Sequence, residues 1–277
     1  MKIDAHHHFW IYNETEYGWI NNDMSKLKQD FLPEDLNVLL KTIHFDGTVA
    51  VQARQSLEET SWLLELAQKH DFIKGVVGWV DLCSPNISEQ LKQFAENPYF
   101  KGVRHIIHDE PDERFMLRED FQRGISMLHD FGLTYDLLLF PKHLPYARQL
   151  VETFPNQPFV LDHIGKPDIK NEVLSPWQED ITKLSDYKNV YVKVSGMVTE
   201  ADWKNWRKAD FKAYLDIVFE AFGPERIMIG SDWPVCTVSG HYESVLEIVL
   251  DYVKQYAPES EHRILGENCA RFYSIKE

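Results

Sequence analysis

Short runs of apolar residues alternate along the chain with longer stretches in which apolar and polar residues mix at helical spacing. Residues 47–53 (GTVAVQA) and 190–195 (VYVKVS) are typical of the first kind, because an uninterrupted β-branched run indicates a buried strand. Residues 57–70 are typical of the second kind, with leucine and alanine side chains on one helical face. The pattern therefore predicts strands that alternate with helices.

Eight runs of the first kind can be recognised, and each leads into a helical stretch. The predicted strands are a segment that begins at residue 3 and ends in histidines, and residues 47–53, 73–80, 102–107, 133–140, 158–163, 190–195 and 226–231. The predicted helices begin at residue 33 and at residues 57, 87, 121, 143, 176, 211 and 243, with a last one at 268–273. This alternation favours a closed (β/α)8 barrel, the TIM-barrel fold, as one α/β domain covering residues 1–277.

An open, doubly wound sheet is the main alternative to the barrel. Such a sheet usually carries a glycine-rich phosphate loop after its first strand. Here that position holds residues 6–10 (HHHFW), and no G-x-G-x-x-G pattern occurs anywhere in the chain. No internal repeat or linker divides the sequence, and only residues 11–30 form a long connection without a regular pattern.

The composition of the chain limits the classes of partner that it can bind. The net charge of −15 and the pI near 5.2 argue against binding to nucleic acid or an anionic membrane, which would need clustered lysine and arginine. No apolar stretch approaches the ~20 residues of a membrane span, and no signal peptide is visible. The three cysteines, Cys83, Cys236 and Cys269, are far apart, which is typical of reduced thiols in a cytoplasmic protein. We expect a small-molecule partner; a homo-oligomer is not excluded by the sequence.

The histidines at the end of the first strand are the first candidates for chemistry. Side chains alternate between the two faces of a strand, so His6 and His8 share one face and His7 lies on the other. Two imidazoles on one face can hold a metal ion or polarise a carbonyl group. A remnant of a purification tag and a pair of ordinary histidines are the alternatives, but the apolar residues around the run do not suit a tag.

Active sites of such barrels form at the carboxyl ends of the strands. The chemically competent residues predicted there are His6, His8, Arg54, Arg104, His108, His163, Lys193 and Asp232, with Trp233 beside the last of them. Each has an ordinary explanation when taken alone: His163 as a loop histidine, Asp232 as a turn residue, Arg104 in an ion pair, Lys193 pointing outward. Their common location at one mouth favours a functional site.

Four motifs carry a resemblance to a known family. Residues 4–10 (DAHHHFW), 102–105 (GVRH), 161–167 (LDHIGKP) and 230–234 (GSDWP) resemble the amidohydrolase superfamily. More narrowly, they resemble its branch of metal-dependent hydrolases of the barrel fold that open lactones. That branch includes enzymes similar to L-fuconolactonase, L-rhamnonolactonase and 2-pyrone-4,6-dicarboxylate hydrolase.

The resemblance implies roles for individual residues. His6, His8 and His163 would polarise a lactone carbonyl, and Asp232 would be the general base that activates water. Arg54, Arg104, His108, Lys193 and Trp233 would bind the substrate. The same histidines and Asp232 would be the ligands of a single divalent ion, with zinc as first candidate, although catalysis without metal stays open. A second ion is not expected, because the fifth strand ends in DLLLFP without a lysine or histidine.

The resemblance leaves two other functions open. A non-oxidative decarboxylase of an aromatic or unsaturated acid shares the barrel, the paired histidines and the last aspartate. A barrel that binds sugar without catalysis is the second. Neither the lactone nor the need for a metal is specified by the sequence.

Overall fold

The computed structural model describes residues 1–276 and contains eight parallel strands in one sheet, each hydrogen-bonded to the next in chain order. The strands are β1 (Ile3–His7), β2 (Gly47–Val51), β3 (Ile73–Gly78), β4 (Phe100–Ile106), β5 (Thr134–Leu138), β6 (Phe159–Leu161), β7 (Val190–Val194) and β8 (Ile227–Ile229). A parallel bridge between His7 and Trp233 brings the last strand against the first. The predicted single-domain barrel is confirmed.

Helices follow the strands as expected. They are α1 (Pro33–Thr42), α2 (Leu57–Lys69), α3 (Ile87–Ala95), α4 (Glu119–Leu128), α5 (Leu144–Thr153), α6 (Trp177–Ser185), α7 (Lys212–Phe222), α8 (Tyr242–Tyr256) and α9 (Asn268–Phe272). Within residues 1–276 none of these helices is long and apolar enough to cross a membrane.

Helix α2 illustrates how the sequence places these helices. The Ser56 side chain accepts a hydrogen bond from the Glu59 amide, which satisfies one of the free amides at the helix start. Leu63, Leu64 and Ala67 recur at helical spacing and are buried against the sheet. Burial of this face stabilises the helix more than its intrinsic propensity does.

The lower interior of the barrel is apolar. Ile3, Val49, Val77, Val160 and Met228 are fully buried in one cluster. Helix α9 and the residues after it add their own apolar side chains to the same cluster, so the end of the chain closes the floor of the barrel. The polar groups lie at the opposite end, where the strands lead into the loops that follow them.

The long connection after β1 is ordered by aromatic packing. Trp10, Tyr17, Ile20 and Leu27 are buried together, and the Trp10 indole donates a hydrogen bond to the Gln29 carbonyl. The segment contacts the loops after β2 and β8, through Glu16 with Arg54 and Phe31 with Trp233.

Candidate active site

The first strand directs His6 and His8 toward the mouth interior. Their Nε2 atoms lie 3.3 Å apart, and both side chains are buried. Strand β8 passes very close behind His6, where a Cβ atom on Gly230 would meet the His6 Cβ at 2.8 Å. A glycine at this position therefore makes room for the imidazole. His7 is buried on the other face, where its ring packs against Phe9.

The tautomer of His8 follows from its surroundings. Its Nδ1 lies 2.8 Å from the Val51 carbonyl oxygen, which can only accept, so Nδ1 carries the proton. The lone pair of Nε2 then points at His6 and Asp232. A backbone carbonyl that orients an imidazole in this way is typical of histidines that bind metal.

His163 is placed by an unusual turn after β6. Both His163 and Ile164 adopt positive φ, at 55° and 49°, in the left-handed region that few side chains occupy. The ring lies against Gly196, where an added Cβ would meet the His163 Nδ1 at 2.5 Å. Nδ1 is 2.9 Å from the Ser195 hydroxyl, which fixes the ring with Nε2 toward the mouth.

Asp232 completes the cluster from the end of β8. It too has positive φ, at 59°, and its amide donates a hydrogen bond of 2.8 Å to the His6 carbonyl. Its Oδ1 lies 3.4 Å from the His8 Nε2, 3.9 Å from the His6 Nε2 and 3.9 Å from the His163 Nε2. The four residues predicted to form the centre are therefore brought together.

These separations fit a single metal ion. Ligands arranged tetrahedrally about zinc at roughly 2.0–2.1 Å would lie about 3.4 Å from one another. His6, His8 and Asp232 form one group whose ligand atoms lie within 4.8 Å of one another, and His6, Asp162 and His163 form another. Several acceptor atoms converge here, and a cation among them would be stabilised by their lone pairs. The residues could hold one divalent ion.

A second layer of charged side chains lies beneath the histidines. Lys193 contacts Asp136 at 2.5 Å and Asp162 at 3.1 Å, and Arg104 contacts Asp162 at 3.1 Å. All are buried. The Lys193–Asp136 and Arg104–Asp162 contacts each join strands two positions apart in the sheet, whereas the Lys193–Asp162 contact joins the neighbours β6 and β7. The contacts therefore link β4, β5, β6 and β7 inside the barrel. From the floor, the Tyr273 hydroxyl donates to Asp136 at 2.8 Å.

This layer contacts His6 on both ring nitrogens. The Arg104 Nη1 lies 3.2 Å from Nε2, and the Lys193 Nζ lies 3.4 Å from Nδ1. Burial, together with Lys193 and Arg104, holds the pKa of His6 well below its usual value. Burial and the neighbouring His6 do the same to the pKa of His163. Both imidazoles are therefore neutral at neutral pH, which is the form that binds metals.

The placement of Arg104 and Lys193 changes their interpretation. Arg104 donates its hydrogen bonds to His6, Asp162 and Gln52. Lys193 is fully buried. This favours a positioning role over the substrate contact predicted from the sequence.

Asp136 and Asp162 were not among the predicted site residues. The sequence signal was available: each is the single charged residue in or directly after an otherwise apolar strand. Charged residues of that kind are rarely buried unless they are paired.

Two other predicted substrate ligands, Arg54 and Trp233, have side-chain contacts outside the four-residue centre. Arg54 contacts Glu16 at 2.5 Å and Glu59 at 3.5 Å, which joins the loop after β2 to the loop after β1. The Trp233 ring is buried, with Phe31 at 5.3 Å.

His108 is partly buried after β4 and stacks on Phe140 at 4.7 Å between ring centroids. Its Nδ1 is buried without a hydrogen-bond partner among residues 1–276, and its Nε2 lies 3.4 Å from Asp109.

Comparison with known proteins agrees with this geometry. A family model described as "Amidohydrolase" matches residues 3–275. The chain is 36% identical over 288 residues to an L-fucono-1,5-lactonase of Burkholderia multivorans, with 100% of this chain and 97% of that protein covered. It is 31% identical over 280 residues to an L-fucono-1,5-lactonase of Burkholderia ambifaria, with 99% and 96% covered.

A solved structure is also closely similar. The crystal structure of an amidohydrolase from Burkholderia multivorans with bound zinc has a TM-score of 0.96 to this chain, at 35% identity and with 100% of both chains covered. The family predicted from the four motifs is confirmed: this chain belongs to the amidohydrolase family.

Proposed function

We propose that the protein hydrolyses the lactone of a sugar acid, with L-fucono-1,5-lactone as the first substrate to test. The observation that carries the proposal is the convergence of Asp232 with three imidazoles at one mouth, with Oδ1 3.4–3.9 Å from their nitrogens. The relatives that are L-fucono-1,5-lactonases support the choice of substrate.

In this mechanism Asp232 accepts a proton from water as the water oxygen attacks the lactone carbonyl carbon. A tetrahedral intermediate forms, and its collapse breaks the bond to the ring oxygen. Asp232 then returns the proton to the leaving alkoxide. The product is the open-chain hydroxy acid, which releases its own proton at neutral pH.

Polarisation of the carbonyl needs a positive charge or a donor. The Nδ1 proton of His8 is donated to the Val51 carbonyl and is not available to the substrate. A divalent ion held by His6, His8, His163 and Asp232 would supply Lewis-acid polarisation when bound. The related amidohydrolase with bound zinc supports zinc as that ion. His163 can also donate from Nε2 when Ser195 donates to its Nδ1.

Substrate hydroxyl groups would be bound at the rim. His108 supports this role through its partly exposed side chain, whose ring is held in place by stacking on Phe140. Arg54 would act indirectly, by holding the loop after β1 through Glu16.

The proposal includes the setting of the enzyme. The free cysteines and the net charge of −15 support a cytoplasmic enzyme whose partner is a small molecule and not a nucleic acid. A homo-oligomer would be compatible with this activity.

The test is acid release from L-fucono-1,5-lactone, followed with a pH indicator. The protein should accelerate ring opening above the spontaneous rate, both as prepared and with added zinc, and prolonged chelation should lower the rate. Acid formation no faster than the spontaneous rate, across a panel of sugar-acid lactones, would overturn the proposal. Carbon dioxide release from an aromatic acid would point to a decarboxylase.

A further inference from the structure

Asp4 is a buried carboxylate whose side chain faces away from the barrel interior. Its neighbours Ile3 and Ala5 belong to the apolar cluster at the floor, and side chains alternate along a strand, so Asp4 lies on the opposite face of β1. On that side the Tyr242 hydroxyl of helix α8 contacts it. A fully buried carboxylate is costly unless hydrogen bonds replace its water, so the partners of Asp4 indicate what it holds.

Four donors surround this carboxylate. The Ser231 amide donates to Oδ1 at 2.9 Å, and the His6 amide donates to the same oxygen at 3.2 Å. The Ser231 hydroxyl donates to Oδ2 at 2.6 Å, and the Tyr242 hydroxyl donates to it at 3.0 Å. Each oxygen therefore has two donors, and Asp4 links β1, the residues after β8 and helix α8.

The backbone around Asp232 depends on these contacts. Asp232 has a positive φ of 59°, a conformation that few side chains adopt and that the surrounding structure must hold. The Ser231 amide before it donates to Asp4, and the Asp232 amide donates to the His6 carbonyl at 2.8 Å. The Trp233 amide after it donates to the Ser231 hydroxyl oxygen at 3.0 Å. Two of these three successive amides are thus held by Asp4, one directly and one through the Ser231 hydroxyl.

The Ser231 hydroxyl depends on Asp4 for its direction. It has a single proton, and the contact of 2.6 Å assigns that proton to Asp4, which leaves an oxygen lone pair for the Trp233 amide. Without the carboxylate the proton has another acceptor, the His6 carbonyl oxygen at 3.3 Å. A hydroxyl that donates there would add a second donor to the carbonyl that holds the Asp232 amide. Asp4 therefore keeps the hydrogen bonds on the two sides of Asp232 separate.

We propose that Asp4, supported by Tyr242, is a positioning residue for the general base Asp232. It holds the backbone on both sides of Asp232 and thereby keeps that carboxylate at its distances from the imidazoles. Asp4 does not touch the substrate, because it is fully buried on the face of β1 that packs against helix α8. This inference rests on the proposed function for the role of Asp232, so it is also tested without hydrolysis.

The test uses two variants of one helix. Tyr242→Phe removes the hydroxyl that donates to Asp4, and Tyr252→Phe, the matched control, removes a hydroxyl of the same helix that donates to Asp216 at 2.8 Å. In hydrolysis of L-fucono-1,5-lactone, Tyr242→Phe should lower kcat about tenfold and leave KM within about twofold of wild type, because the base is displaced while binding is kept. Tyr252→Phe should change neither constant. A fall in kcat no larger than that of Tyr252→Phe would overturn the proposal.

Amide hydrogen exchange, followed by mass spectrometry, tests the same inference without hydrolysis. In the peptic peptide that covers residues 229–236, Tyr242→Phe and Ser231→Ala should each exchange at least about threefold faster than wild type, since the amides around Asp232 lose support. Tyr252→Phe should exchange as wild type does. Equal rates in the four proteins would overturn the proposal, whatever their activity. A wild type that opens no lactone would refute the proposed function, and the exchange rates would still decide whether Asp4 holds the Asp232 backbone.

Discussion

The two halves of the barrel interior differ in the side chains they bury. Strands β4 to β7, or the residues directly after them, each contribute one charged side chain: Arg104, Asp136, Asp162 and Lys193. Strands β2, β3 and β8 bury no charged side chain, and they place Val49, Val51, Val77 and Met228 in the apolar cluster at the floor, where Val160 of β6 joins them. The histidines of β1 stand where the two halves meet.

This difference separates the side chains that stabilise the fold from those that position the site. Apolar side chains stabilise the barrel by burial alone. Buried ion pairs contribute little net stability, since the loss of hydration offsets their attraction. The charged half is therefore best explained by function: it fixes both nitrogens of His6 and keeps that imidazole neutral.

The largest predicted loss of stability follows the removal of one charge from the charged half. Lys193→Met leaves Asp136 without its cation, and we expect the free energy of unfolding to fall by about 3–5 kcal/mol. Urea denaturation measures this. The double variant Lys193→Met with Asp136→Leu removes both charges and should lose less than the single variant; an equal or greater loss would show that the pair is not the cause.

A change in the apolar half should cost less and spare catalysis. Val77→Ala removes buried methyl groups and should lower the free energy of unfolding by roughly 2 kcal/mol. The kcat for lactone hydrolysis should stay within threefold of wild type. A large fall in kcat for the folded variant would mean that the two halves are not separable.

Acid should have a smaller effect on stability, through His108 at the barrel mouth. Burial, with Lys166 nearby, lowers the pKa of His108 to about 3. The unfolded chain takes up this proton below about pH 6.5 and the folded chain does not, so stability is lost as pH falls through that range. The contribution is about 1–2 kcal/mol at pH 5.

His108→Phe should therefore lose less stability between pH 7.5 and pH 5 than wild type does. Thermal unfolding at the two pH values measures the difference. His129→Phe, at an exposed position, is the matched control and should behave as wild type. Identical acid sensitivity in His108→Phe and wild type would exclude His108 as a source.

The sequence predicted the barrel because strand formation here depends on local runs of apolar residues. It also predicted that His6, His8, His163 and Asp232 meet, since strand ends share one mouth. It did not predict the roles of Asp136 and Asp162, because their pairing with Lys193 and Arg104 depends on which side chains meet inside the closed barrel. Nor did it predict that Arg54 would meet Glu16, which depends on how the loop after β1 folds back.

The central claim is that Asp232 activates water for lactone opening. The most direct measurement is the kcat of Asp232→Asn on L-fucono-1,5-lactone, beside Asp168→Asn as a control at an exposed loop carboxylate. We expect Asp232→Asn to lower kcat by about 100-fold or more with its fold intact, while the control keeps wild-type turnover. Turnover by Asp232→Asn within threefold of wild type would contradict it.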